Sequence, residues 1–311
     1  KPRESFWYIQ KKILGGRKKA SQGDGFFIAE NPPFGVELTY FLKNKYLSEK
    51  DKRIKKETEM EKEKSIISVP SWEVLDEEKR EIKPEVWVFI FSKEGEIIRK
   101  IKAKNKKGFN RLHWDLTSVS NSTITNENVE KNLSGPLVQP DDYTAQLFKQ
   151  IKGEFIEISE KVNIKVKPLF APQKNGKNYQ EVVKYWNKIY LLRNQANDLK
   201  NNITSTEKLI IKLLKSYERS KQKNNEIHTS LLRYRNEILK LKETMNGSKS
   251  RKEIGEENEY PTIWTYLWAA NGSSRSTYGP TIAHKEYFSF AKNMILDTEN
   301  KHEKLKNSII T

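Results

Sequence analysis

At 311 residues the chain has room for two domains. Its 35% hydrophobic and 11% aromatic content can build cores despite 32% charged residues, which argues against wholesale disorder. The absence of cysteine excludes disulfides and thiolate metal sites, and no run approaches the roughly 18 apolar residues of a membrane-spanning helix.

The net charge of +17 suits an anionic partner. Lysines alternate with acids along helix-forming stretches, however, and no compact arginine cluster occurs, so the charge reads as a solvated surface and nucleic acid is not the expected partner. Residues 1–35 read as an extended, glycine-rich arm. Gly15-Gly16, Gly23-Asp24-Gly25 and Asn31-Pro32-Pro33-Phe34-Gly35 punctuate it without a phosphate-binding GxxxxGKS/T or GxGxxG motif. Its aromatic residues Phe6, Trp7, Tyr8, Phe26 and Phe27 are the candidates for docking onto a partner protein. Lys1 is not an initiator Met and Phe6 to Ile9 is too short for a signal core, so the chain reads as a processed product or an internal fragment.

A strand is expected from Val36 to Tyr46, with Val36, Leu38, Tyr40 and Leu42 in phase. A charged insertion at 47–82 follows. Ser48 to Lys64 is nearly all charge, with Ile54 and Met60 its only apolar residues, which supports a helix lacking a buried face. Ser71 is placed to cap a short helix anchored by Trp72 and Leu75. Val86–Phe91 is continuously apolar, as in a central strand covered on both sides, and Ile97–Ala103 follows through a turn. Around Gly108 to Phe148, Leu112, Trp114 and Leu116 alternate with Arg111, His113 and Asp115, and Tyr143, Ala145 and Leu147 repeat the pattern. Between them lie a polar loop at 118–134 and turn chemistry at Ser134-Gly135-Pro136 and Pro140-Asp141-Asp142. A hairpin at Lys152-Gly153 leads into Phe155–Lys167. Six or more short strands at hairpin spacing predict an immunoglobulin- or fibronectin-like antiparallel β-sandwich over 36–168. Trp114, Asp115, Gly135, Pro136 and Tyr143 are its structural residues.

Residues 169–177 read as a linker, and the apolar period then lengthens to about 3.5. Val182, Trp186, Ile189, Leu192, Ala196, Leu199, Ile203, Ile210, Leu213 and Tyr217 keep one seam, so a single long helix is expected through the capping-box pattern at Thr204–Glu207. Ile227, Leu231, Tyr234, Ile238, Leu241 and Met245 form a second seam. A last helix opens at Pro280, with Tyr287, Ala291, Met294, Thr298, Leu305 and Ile309 inward. The fold class is therefore multi-domain α+β, with an antiparallel three-helix bundle at 178–311 in which Trp186 is a core anchor.

Candidate chemistry is sparse. The histidines at 113, 228, 284 and 302 are dispersed, without an HxxxH spacing. His113 belongs on the outward face of its strand, Asp115 is a strand-end residue satisfying backbone donors, and Asp141-Asp142 lacks a calcium-loop frame. No catalytic, metal or cofactor site is expected.

In order, the chain contains ENPPFGVELTYFLK, VPSWEVLDEEKREIKPEVWVFIFSKEGEIIRKI, KGFNRLHWDLT, SGPLVQPDDYTAQL and NGSSRSTYGPT. Together these segments resemble the C-terminal region of large exported bacterial proteins that begin with a sortilin-like, BNR-type β-propeller and are often described as glycosyl hydrolase-like. The resemblance spans nearly the whole chain and implies a fibronectin/immunoglobulin-like domain followed by a helical bundle. No Asp-box (S-x-D-x-G-x-x-W) occurs here, so the propeller that would hold any glycosidase-like site is absent. The implied role is a non-enzymatic accessory module, exported to the periplasm, outer-membrane surface or extracellular space, that docks to a propeller or an envelope assembly. The competing readings are a binder of an anionic polymer, motivated by the charge, and the non-catalytic part of a glycan-processing enzyme.

Overall fold

The computed structural model describes residues 2, 4–10, 33–126, 128–129, 131, 133–171, 177–221 and 224–310. Its strands are β1 (Ser5–Trp7), β2 (Val36–Leu42), β3 (Glu85–Phe91), β4 (Ile97–Ala103), β5 (Gly108–Trp114), β6 (Thr117–Val119), β7 (Ser134–Leu137), β8 (Asp142–Ile151), β9 (Glu154–Glu157) and β10 (Val162–Pro168). Its helices are α1 (Glu49–Lys62), α2 (Trp72–Arg80), α3 (Tyr179–Glu218), α4 (Asn225–Asn246), α5 (Lys249–Glu253), α6 (Ile263–Asn271) and α7 (Ile282–Ile310). The protein is mixed α+β. Among the described residues one compact unit holds 2–8, 33–119 and 137–171, and the other holds 9–10, 120–136 and 177–310.

In the first unit the main sheet runs β1-β10-β8-β3-β4, with β9 added to β8, while β2 and β5 form a separate antiparallel pair. β1 joins β10 in parallel, Ser5 opposite Val166 and Trp7 opposite Pro168. Residues 5–7 are thus part of the sheet, not of an arm, and Trp7 is 1% exposed. Its bulk fills the core, which removes it from the candidate docking residues. β3 is apolar throughout because both faces are covered. Val86, Val88 and Ile90 alternate with Phe89 and Phe91, and all five are buried. Phe89 stacks on Phe148 at 4.2 Å, and the Lys100 ammonium lies 4.8 Å above the Phe89 ring.

The turn after β5 departs from simple alternation. Leu112 is half-buried, Trp114 is fully buried, and the strand ends there. Leu116, expected in the same strand, takes a left-handed φ of 56° and is buried from the turn instead. Gly135 and Pro136, read as turn residues, lie within β7. Neither needs a positive φ there. The expected strand at 155–167 is divided into β9 and β10.

The charged insertion folds into α1 and α2. Ser48 accepts from the Asp51 N–H and caps α1, which buries no residue. Arg53 reaches across to Glu78 with two hydrogen bonds, Nε at 2.6 Å and Nη2 at 2.9 Å, and holds that carboxyl below its ordinary range. Trp72, expected as an anchor, is 80% exposed. Ser71 sits at the N-cap position without a side-chain cap bond. Replacing residues 49–62 by a short Gly/Ser linker is therefore expected to move the melting temperature by no more than about 2 °C, since no buried residue is lost and loop length acts weakly. Loss of the cooperative transition would show that α1 is packed.

In the second unit α3 is one continuous helix of 40 residues. Its seam from Leu192 to Ile210 shares a core with Ile238, Leu241 and Met245 of α4 and with Ala291, Ile295 and Leu305 of α7. The aromatic stretch before the last helix forms α6, whose Ile263 and Leu267 are buried in that core. Thr262 and Thr265 cap it reciprocally. The last helix is capped by Thr281, whose hydroxyl accepts from the His284 N–H, in place of the expected start at Pro280. Tyr287, expected in the α7 seam, is 38% exposed. Ser120 and Ser122, from the excursion expected within the sandwich, hydrogen-bond the Tyr190 hydroxyl at 2.8 and 3.3 Å.

The α7 seam also holds His302, which is 2% exposed and hydrogen-bonded through Nε2 to the buried Thr206 hydroxyl at 2.9 Å. Burial pushes its pKa below the ordinary 6.5; Glu303 opposes this shift more weakly and Lys306 adds to it. A depressed folded pKa means the unfolded chain takes up the proton first as pH falls. The stability due to the neutral form is complete above about pH 6.5 and is lost as pH drops through the folded value. Thermal melts at pH 7.5 and 5.0 should show a larger acid loss for the wild type than for His302→Gln. Parallel losses would contradict this.

Candidate functional site: a groove between two sheet edges

The first unit lines a groove of about 1250 Å³. Along one side run Pro2, Glu4, Ser5, Phe6 and Tyr8 on and around β1; along the other run residues 33–35 and 37–41, leading into and along β2. Val88, Ala145 and Leu147 contribute apolar surface from the main sheet, and Arg111 and His113 project from β5.

Local sequence accounts for these walls. Alternation on β2 sends Val36 and Leu38 inward and leaves Glu37, Thr39 and Phe41 exposed. On β5, Arg111 and His113 lie on the outward face for the same reason. Glu37 and Arg111 pair across the strands at 3.6 Å, a solvent-screened contact. Phe41 meets Phe109 edge-on at 5.2 Å. Tyr8 meets Phe34 edge-on at 5.0 Å. Tyr40 donates its hydroxyl proton to the Lys104 carbonyl at 2.7 Å, and burial pushes its pKa up. At one end the groove is tied shut by the Ser5 hydroxyl donating to the Gly35 carbonyl at 3.0 Å.

Of the candidate docking residues, Phe6 is 46% exposed and Tyr8 half-buried on the groove wall. Phe26 and Phe27 lie outside the described residues. The structural residues gather beneath. Trp114 meets Tyr143 at 5.3 Å, and Asp115 accepts from the Thr117 N–H at 3.2 Å, the strand-end role expected of it. The Tyr143 hydroxyl returns to the Gln139 carbonyl at 2.7 Å. Trp186, in the second unit, is 6% exposed and donates to the Ser273 carbonyl.

Gln146 also borders the groove, and its Oε1 is buried without a hydrogen-bond partner among the described residues. Its Nε2 donates to Glu157 and to the Ser159 carbonyl. Strand alternation puts this side chain on the Phe148 face, opposite Ala145 and Leu147, so the oxygen does not serve the groove. Among the described residues no three His, Cys, Asp or Glu side chains are grouped to hold a metal. The groove was not legible beforehand because its walls come from segments far apart in sequence. Only the outward phase of Glu37, Arg111 and His113 announced them.

Comparisons with protein-family models, curated proteins and solved structures found no match. No described helix is long and apolar enough to cross a membrane.

Proposed function

We propose that this chain is a non-enzymatic accessory module that binds a protein partner. The observation that carries the reading is the groove itself: an open concavity between strands, walled by exposed aromatic side chains and a screened ion pair. We infer that the first unit is immunoglobulin-like. The order β10-β8-β3-β4 facing β2-β5 supports this, as does a tyrosine near the start of β8 bonded four residues back. That architecture matches what the sequence resemblance implies, which supplies the partner class: a sortilin-like propeller domain or an exported envelope assembly. Titration calorimetry of the full chain with a sortilin-type propeller should give saturable binding. Absence of heat and of co-elution at about 100 μM of each would end the propeller reading.

A second reading rests on α3. Lys208, Lys212, Lys215 and Arg219 recur at spacings of four, three and four, all exposed. No acid pairs with any of these four among the ion pairs of the described residues. They form one stripe opposite the Ile203–Ile210 seam. Such a stripe favours an anionic polymer, and counterion release makes the affinity fall steeply with salt. Heparin retention at low ionic strength that disappears in Lys208→Ser/Lys212→Ser would support it. Passage of the wild type unretained would dispose of it.

A further inference from the structure

The polar segment at residues 271–281 ends on Thr281, the residue that caps α7. The cap is reciprocal, and its second member is a histidine. The His284 N–H donates to the Thr281 hydroxyl at 3.3 Å, and the Thr281 N–H donates back to His284 Nδ1 at 3.1 Å. The Thr281 hydroxyl itself lies 3.0 Å from Nδ1. This is a capping box, in which the third helical position ordinarily carries Glu or Gln. A backbone N–H can only donate, so Nδ1 holds the free lone pair and the neutral ring carries its proton on Nε2. The Nε2 side of the ring rests against Gly272, where an added Cβ would meet it at 3.1 Å.

We propose that His284 makes the first turn of α7 a pH-sensitive latch, closed around the neutral imidazole and opened by its protonation. Neither the groove nor its partner enters into this switch. Protonation places a hydrogen on Nδ1, so two donors face each other across 3.1 Å and the Thr281 N–H loses its acceptor. The imidazolium also lies at the positive end of the helix dipole, where a cation is disfavoured. Both effects have one sign: the turn is closed at neutral pH and loosens as pH falls. The opening stops at His284, whose carbonyl accepts from the Tyr185 hydroxyl of α3 at 2.6 Å. Burial pushes the pKa of Tyr185 up to about 12, so this tie keeps its proton throughout. The other charged groups on the described elements around the turn are Lys285 and Glu286 of α7, Arg275 in the 3-10 turn Gly272–Arg275, and Lys177 against Gly279. Histidine is the one of these residue types that ordinarily titrates between pH 5 and 8.

The test is amide exchange of the full chain, resolved by NMR at pH 7.5 and 5.0 and corrected for the intrinsic pH dependence of exchange. Protection at Thr281 and His284 is read relative to the buried core residues Ile203 and Ile238, so that an acid loss of the whole bundle, such as His302 would cause, cancels. In the wild type this relative protection should fall about tenfold at pH 5.0, the scale of a lost helix cap. His284→Gln keeps an acceptor that does not titrate, and both amides should stay protected at both pH values. His284→Lys carries a fixed positive charge and no acceptor, and both amides should be open even at pH 7.5. Equal relative protection of the wild type at the two pH values overturns the latch. So does a fall of the same size in His284→Gln, since another group is then responsible, and so does a His284→Lys chain that stays closed. Should His284→Lys fail to fold, the comparison of wild type with His284→Gln decides by itself.

Discussion

Trp114→Ala is expected to destabilise the protein by about 3–5 kcal/mol, the range for truncating a buried aromatic side chain. The ring is fully buried, and it packs edge-on against Tyr143 at 5.3 Å. Its Nε1–H donates to the Thr117 carbonyl at 2.9 Å. The substitution therefore removes apolar contact, opens a cavity between the β2–β5 pair and β8, and strips one partner from the turn that follows β5. His113→Ala, one residue earlier on the opposite face, is expected to stay within about 0.5–1 kcal/mol, because its ring is exposed and hydrogen-bonds the Phe34 carbonyl at the surface. Urea melts with equal m-values measure the difference. Equal losses would mean that the two faces of the strand are assigned the wrong way round.

Gly35→Ala is the second large effect, at roughly 2–5 kcal/mol, from a left-handed backbone combined with overpacking. Gly35 has φ of 119°, and a Cβ there would sit 2.0 Å from the Trp114 carbonyl oxygen. Both partners are backbone, so no side chain can move aside. Relief requires shifting the start of β2 against β5, where Val36 pairs with Trp114. Gly108 supplies the control. Its φ is 95°, but nothing lies within 4 Å of its Cβ position, so Gly108→Ala carries the conformational cost alone. Gly35→Ala should be the more destabilising of the two in thermal melts, and it should distort the closed end of the groove, where Ser5 holds the Gly35 carbonyl. Matching melts for the two variants would show that the clash is relieved without cost.

The contrast between these glycines shows where sequence reading stops. Both sit in recognisable punctuation, and nothing local distinguishes them. The difference is the distance from one of them to a carbonyl nearly 80 residues away. Trp7 is a similar case. In sequence it belongs to an aromatic run that looks suited to docking, yet parallel pairing with β10 turns its side chain into the core and leaves Phe6 exposed. His302 is the third. Its spacing to other histidines suggested nothing, and the α7 seam met Thr206 of α3 only after the helices packed.

The sequence by itself determined the local elements. Two-residue alternation specified β2, β5 and β8, because successive side chains on a strand face opposite ways, and a continuous apolar run specified β3. The longer period specified α3 and α4, whose one apolar face must be buried. The lack of apolar residues at 48–64 determined that α1 would bury nothing. The tertiary structure decided which strands became neighbours and that β1 would join a sheet. Those outcomes depend on pairings between residues 30 to 160 positions apart. Such pairings are selected by the fit of whole faces and by the closing of backbone hydrogen bonds, and no local window of sequence contains that information.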